Sequence, residues 1–187
     1  MGLFGFIKKK KNADFQINED DRIWVEETIN FLISGFGLPN KNSELISFSE
    51  KYFPNTLSNN KVNAENIIKD LSDMLELDAT KISFEIYTDI RDIQNVPYEI
   101  DGVPLDTYTE KTGNEYKIYI ANSLNTGRLL SRLIREFSYI KLCENELRFH
   151  IEDNFLYITA VYLGFGTILS QNFFDTGYST DAFWETR

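Results

Sequence analysis

An α+β domain is the fold class that three features of this sequence predict: a helical stripe near the start, alternating apolar runs in the middle, and two long helical segments after them. The expected arrangement is an antiparallel β-meander packed against N-terminal helices and two long C-terminal helices. With 187 residues, 42% of them hydrophobic, the chain suits a single domain with a substantial core over residues 18–187. A flexible basic tail is expected over residues 1–17.

Asn18 supplies a helix cap, with Glu19, Asp20 and Asp21 as an acidic first turn. Ile23, Trp24, Ile29, Phe31, Leu32 and Phe36 then form a stripe that stops at residues 35–39, which hold Gly35, Gly37 and Pro39. Residues 45–48 read as a short strand, and Pro54 as a stop after it. Asn63 caps a second helix carrying Ile67, Ile68, Leu71, Met74 and Leu75 at helical spacing. Residues 81–88 alternate, Ile82, Phe84 and Ile86 facing one way and Ser83, Glu85 and Tyr87 the other. Asp101 and Gly102 suit a tight hairpin turn, and residues 112–114 mark another turn before the alternating run 116–120. Helices follow over about residues 126–143 and 153–172. Gly164 and Gly166 each cost the last helix roughly 1 kcal/mol relative to Ala. Such a cost is tolerated where another backbone comes close, so this helix is expected to be the central one, buried on all sides.

Composition removes several function classes. A formal charge of -10 argues against nucleic acid, which needs clustered Lys and Arg. One cysteine, Cys143, excludes an internal disulfide or a Cys-rich zinc site, and one histidine, His150, excludes any site built from two imidazoles. The segment from Met1 to Lys11 has its apolar residues before its charges, the reverse of a secretory signal, and Phe6 stands where a myristoylation pattern needs Ser or Thr. Lys8, Lys9, Lys10 and Lys11 offer at most a weak contact with an anionic membrane. Residues 155–169 are too short a run to span a bilayer. A cytoplasmic protein is the expectation.

The most informative segment is 128–142. At about 100° per residue, Leu129, Leu130, Leu133, Ile134, Phe137 and Ile140 fill one arc, while Arg132, Arg135, Glu136, Tyr139 and Cys143 share the other. Arg135 and Tyr139 are one turn apart with Glu136 beside them, which is the geometry of the zinc-protease motif H-E-x-x-H. In that motif two imidazoles bind zinc and the Glu works on the bound water. Here it reads Arg135, Glu136, Phe137, Ser138, Tyr139, so the Glu stands and both ligand positions differ.

The order of elements resembles a group of small bacterial zincin-like proteins, metallopeptidase relatives of the gluzincin type. The resemblance runs through YKIYIANSL, LIREFSYIKL and DNFLYITAVYLGFGTILSQN, within residues 116–172, and the earlier WVEETINFLISGFG and FSEKYFP are similar to that group's N-terminal half. It implies a zincin-like fold, with a third, acidic ligand position at or near Tyr157; Glu152 and Asp153 lie a turn or more earlier. Zinc needs about three ligands drawn from imidazole, thiolate or carboxylate. A guanidinium at Arg135 instead brings a permanent positive charge, and a phenol titrates near 10. Without a metal nothing lowers the pKa of water from about 15.7 to about 7. The expectation is therefore a vestigial site (Arg135, Glu136, Tyr139, Tyr157) without metal or cofactor, in a pseudoenzyme acting as a protein-binding or regulatory module. Glu136 is expected to pair with Arg132 or Arg135 and hold the old cleft closed.

Two other readings compete: a hydrolase with an unrecognised carboxylate or cysteine site, and a membrane-surface protein using the segment Met1 to Lys11. Cys143 and His150 sit seven apart with no orienting third group. The acidic pairs, such as Glu26 with Glu27 and Glu144 with Glu146, lack calcium-loop spacing and read as solvated faces. Neither GFG run has the remaining positions of a phosphate loop. Arg128, Arg132 and Arg135 suit a salt-bridged helix face, or else an anion.

Overall fold

A computed structural model describes residues 18–39, 45–58, 63–88, 99–100, 103–104, 106–147 and 153–175. The proposed tail over 1–17, the turn residues Asp101 and Gly102, and His150 lie outside them. The mixed α+β class holds. The helices are α1 (Glu19–Phe36), α2 (Pro54–Ser58), α3 (Ala64–Met74), α4 (Thr126–Glu144), α5 (Asp153–Ala160) and α6 (Gly166–Asp175). The strands are β1 (Ile82–Tyr87), β2 (Glu99–Ile100), β3 (Val103–Pro104), β4 (Thr107–Thr112) and β5 (Glu115–Ala121).

Local signals set most of the helix starts. Asn18 accepts the Asp21 N–H at 2.7 Å, Asn63 that of Asn66 at 2.8 Å and Asn125 that of Arg128 at 2.9 Å. α1 ends at Gly37, whose φ of 84° is left-handed. Residues 45–48 are not a strand: the Ile46 N–H donates to the Gly164 carbonyl at 3.1 Å and pairs with no neighbouring strand. Pro54 does not stop a segment but opens α2, the helix position at which a missing N–H costs nothing. α2 is anchored by the buried Asp70 of α3, whose two oxygens accept from the backbone and side chains of Asn55 and Thr56.

The meander is corrected. The sheet order is β1-β5-β4, with β4 antiparallel to β5 but β1 parallel to it, and β2–β3 form a separate antiparallel pair. β4 and β5 are joined by a tight turn at Gly113 (φ 60°). The long stretch between β1 and β4 gives the chain room to cross over, as a parallel pair requires. Alternation in sequence identifies strands, not partners. It also misplaces the end of β1, where Ile86 is 55% exposed and Tyr87 only 7%. α4 packs over the β4 side of the sheet and shares one core with Ile118 and Ile120 of β5 and with Ile67, Ile68 and Leu71 of α3. A second cluster joins Leu32 of α1 to Leu142 and Leu156, and Phe31 meets Phe155 edge to face.

α4, rather than the last helix, is the central one: nine of its residues are buried, including Arg135, Glu136 and Ser138 on the polar side. The last helical segment is not buried on all sides, since Val161 is 55% exposed and Asn154, Ser170 and Gln171 are also exposed. Nor is it continuous. A π-helical turn at Val161–Phe165 separates α5 from α6, with Gly164 at φ 101°. The two glycines therefore differ in kind. A Cβ on Gly164 would have to adopt that left-handed backbone and sit 3.3 Å from Ile46 Cδ1, whereas one on Gly166 meets Val161 at an ordinary 3.5 Å. Gly164→Ala should lower stability by about 1–2 kcal/mol, and Gly166→Ala should raise it by up to about 1 kcal/mol. Urea denaturation checks this; equal responses would contradict the assignment.

Candidate functional site

β4 and α4 meet through polar side chains. On β4, Thr107 lies opposite Ile120 and Thr109 opposite Ile118, so both threonines occupy the inward face of the edge strand. An aliphatic residue would ordinarily fill such positions. Here they face Glu136, which is 3% exposed. Its Oε1 accepts from Thr107 Oγ1 at 2.7 Å and from Arg135 Nη1 at 2.5 Å; its Oε2 accepts from Thr109 Oγ1 at 2.6 Å. A buried carboxylate is tolerated only when charge and lone pairs are both answered, and three donors do this.

A second cluster adjoins it. Asp106, one residue before β4, accepts through Oδ2 from Arg128 Nε at 2.7 Å and Arg132 Nε at 3.1 Å. Arg132 Nη1 donates to the Tyr157 hydroxyl of α5 at 2.7 Å. The arginines sit at i, i+4 and i+7, so one helix face presents all three toward β4 and α5. Each of the three is ion-paired, Arg128 and Arg132 with Asp106 and Arg135 with Glu136. Of the two partners expected for Glu136, Arg135 is bonded to it, while Arg132 binds Asp106 instead.

Of the four sequence-derived site residues, Arg135 and Glu136 bond to each other directly, whereas Tyr157 is bonded to Arg132, which pairs with Asp106 instead. Tyr139 lies one turn further on, hydrogen-bonded with the Cys143 thiol and within electrostatic reach of Glu136. Burial first, then that bond and the charges of Cys143, Tyr108 and Glu136, hold its phenol protonated well above the usual range. Tyr116, near Cys143, is pushed up by burial and by its bond to Glu144 at 2.8 Å. The phenols around Cys143 are thus proton-retaining groups and poor bases for a thiol nucleophile.

Glu19 and Glu26 pair with Arg22 on the surface of α1, at 2.5 and 2.8 Å. Among the described residues no group of three or more His, Cys, Asp or Glu side chains is placed to share a metal ion.

Asp106, Thr107 and Thr109 do not stand out in the sequence. The available signal is a run of β-branched residues, Thr107, Thr109 and, beyond Lys111, Thr112, leading into Gly113. With no apolar member on its inward face, that run carries no core signal.

Tyr87 titrates late. Burial first, then the carboxylates of Asp106 and Glu136, push its phenol from 10.0 up to about 12. Its folded value is raised, so the stability it contributes is complete below pH 10 and is lost as the pH climbs through about 12. Tyr87→Phe should flatten that alkaline fall, measured by denaturant stability across the range; an unchanged slope would contradict the assignment. No family model, curated protein or solved structure matches the chain.

Proposed function

We propose that the chain is a catalytically silent, metal-free relative of the zincins, which acts by binding a protein partner or as a regulatory module. One observation carries the reading: both oxygens of Glu136, at the position of the motif's general base, are occupied by Arg135, Thr107 and Thr109. A general base must present a lone pair to water. This carboxylate, 3% exposed, gives three of its roughly four lone-pair sites to protein donors inside the core.

The residues do not fit a zinc ion. The resemblance assigns ligand positions to Arg135, Tyr139 and Tyr157, which supply one guanidinium and two phenols. A guanidinium has no lone pair to give and repels the cation. The two phenols lie outside the imidazole, thiolate and carboxylate groups that zinc sites draw on. The element order lends support, since the strand β5 directly precedes α4, as a strand precedes the motif helix in the family that the sequence resembles.

A protein partner is supported by large apolar side chains on the described surface. Leu38 and Leu45 are exposed, and so is Val161. Their segments are drawn to one turn of the structure by the Tyr162 hydroxyl, which donates to the Gly37 carbonyl, and by the Ile46 N–H, which donates to the Gly164 carbonyl. Exposed apolar surface of this kind is what partner proteins cover. No helix among the described residues is long and apolar enough to cross a membrane, and a cytoplasmic setting accords with the single thiol at Cys143.

Elemental analysis of purified protein, loaded with zinc and then dialysed, tests the reading. The expected result is no stoichiometric zinc, together with no peptide hydrolysis that depends on Glu136. One tightly held zinc per chain, or hydrolysis abolished by Glu136→Gln, would overturn it.

A further inference from the structure

Arg132 differs from the other arginines of its helix face. Its Nε shares one oxygen of Asp106 with Arg128, at 3.1 and 2.7 Å. Its Nη1 donates to the Tyr157 hydroxyl, and its Nη2 takes part in neither bond. The side chain keeps 20% exposure. Burial and, more weakly, the neighbouring Arg135 oppose its charge, but Tyr157 and Asp106 sustain it and on balance raise its pKa. The group is therefore a planar cation, fixed at two of its nitrogens and partly open to solvent, which shares one carboxylate oxygen with a second guanidinium, Arg128. Fixed guanidinium edges of this kind recognise oxyanions, and they do so without the entropy cost of ordering a mobile side chain.

We propose that Arg132, with Tyr157 beside it, receives a carboxylate group of a peptide partner. The inference rests on the metal-free reading of the site and adds the chemistry of the ligand: this part of α4 and α5 would bind an anion where the resemblance puts a cation. Carboxylate is favoured over phosphate on two grounds. Two of the guanidinium nitrogens are already committed, which suits a planar monoanion better than a tetrahedral group needing donors on several sides. The chain also carries a formal charge of -10, so its overall field opposes a dianion more strongly than a monoanion. The same field keeps non-specific anion binding low and makes the local site the point of attraction.

The test is an NMR titration of the full ¹⁵N-labelled chain with four probes: acetate, N-acetyl-dialanine, its C-terminal amide and inorganic phosphate. The Arg132 Nε–Hε resonance should shift saturably with acetate and with the free dipeptide, and stay in place with the amide. Arg132→Gln should weaken binding of the dipeptide by about tenfold or more. Arg132→Lys, which keeps the charge but loses the planar fork, should weaken it by a smaller factor, and it decides the matter should the Gln variant fail to fold. Absence of a saturable shift, equal binding of the amide, tighter binding of phosphate, or an affinity unchanged in the folded variants would each overturn the proposal. The two readings fail separately: stoichiometric zinc on elemental analysis removes the metal-free reading, whereas a silent titration in zinc-free protein removes only the carboxylate site.

Discussion

A carboxylate in a protein core must be answered by donors, and at Glu136 the answer comes from two elements at once. Arg135 supplies the charge from the same helix, while Thr107 and Thr109 supply hydroxyls from the edge strand. This requirement reaches well beyond one residue. It makes the inward positions of β4 polar, fixes the register of that strand against α4, and places Asp106 where Arg128 and Arg132 close over it. An exposed carboxylate would have imposed none of this. The cost of removing the ionised group from water is several kcal/mol before compensation, so partial satisfaction would have been worse than an aliphatic core.

The same bonds bear on function. Hydrolysis needs a base with a reachable lone pair, and both oxygens of Glu136 accept from protein donors instead. The neighbouring positions differ from the motif in the same sense. Arg135 holds a fixed cation against Glu136, and Tyr157 is a partner for Arg132. Under the proposed function, what is catalytic in the zincin motif is cohesive in this chain, and the chemistry left open at the surface is that of a guanidinium.

Local information is legible in the sequence and non-local pairing is not. Asn18 and Asn63 cap helices because a side-chain oxygen and an N–H three residues on need nothing else nearby. The turn at Gly113 is readable for the same reason. By contrast, the apolar run at residues 45–48 has a strand's composition, yet its backbone is claimed by the Gly164 carbonyl, which belongs to a helix far along the chain. The parallel pairing of β1 with β5 is equally invisible, since an alternating run looks the same whichever partner it takes. At the site, Glu136 stands out through its motif. Its threonine partners do not, because polar residues facing a buried charge resemble polar residues facing water.

Glu136 is held by the edge strand rather than offered to solvent, and a double-mutant cycle between Glu136→Gln and Thr109→Val, read as unfolding free energy in urea, tests this most directly. Non-additivity of about 1 kcal/mol or more is expected, because Thr109→Val removes the donor hydroxyl and Glu136→Gln removes the charge to which that hydroxyl is bonded. Strict additivity would contradict it, since the two side chains would then be energetically independent.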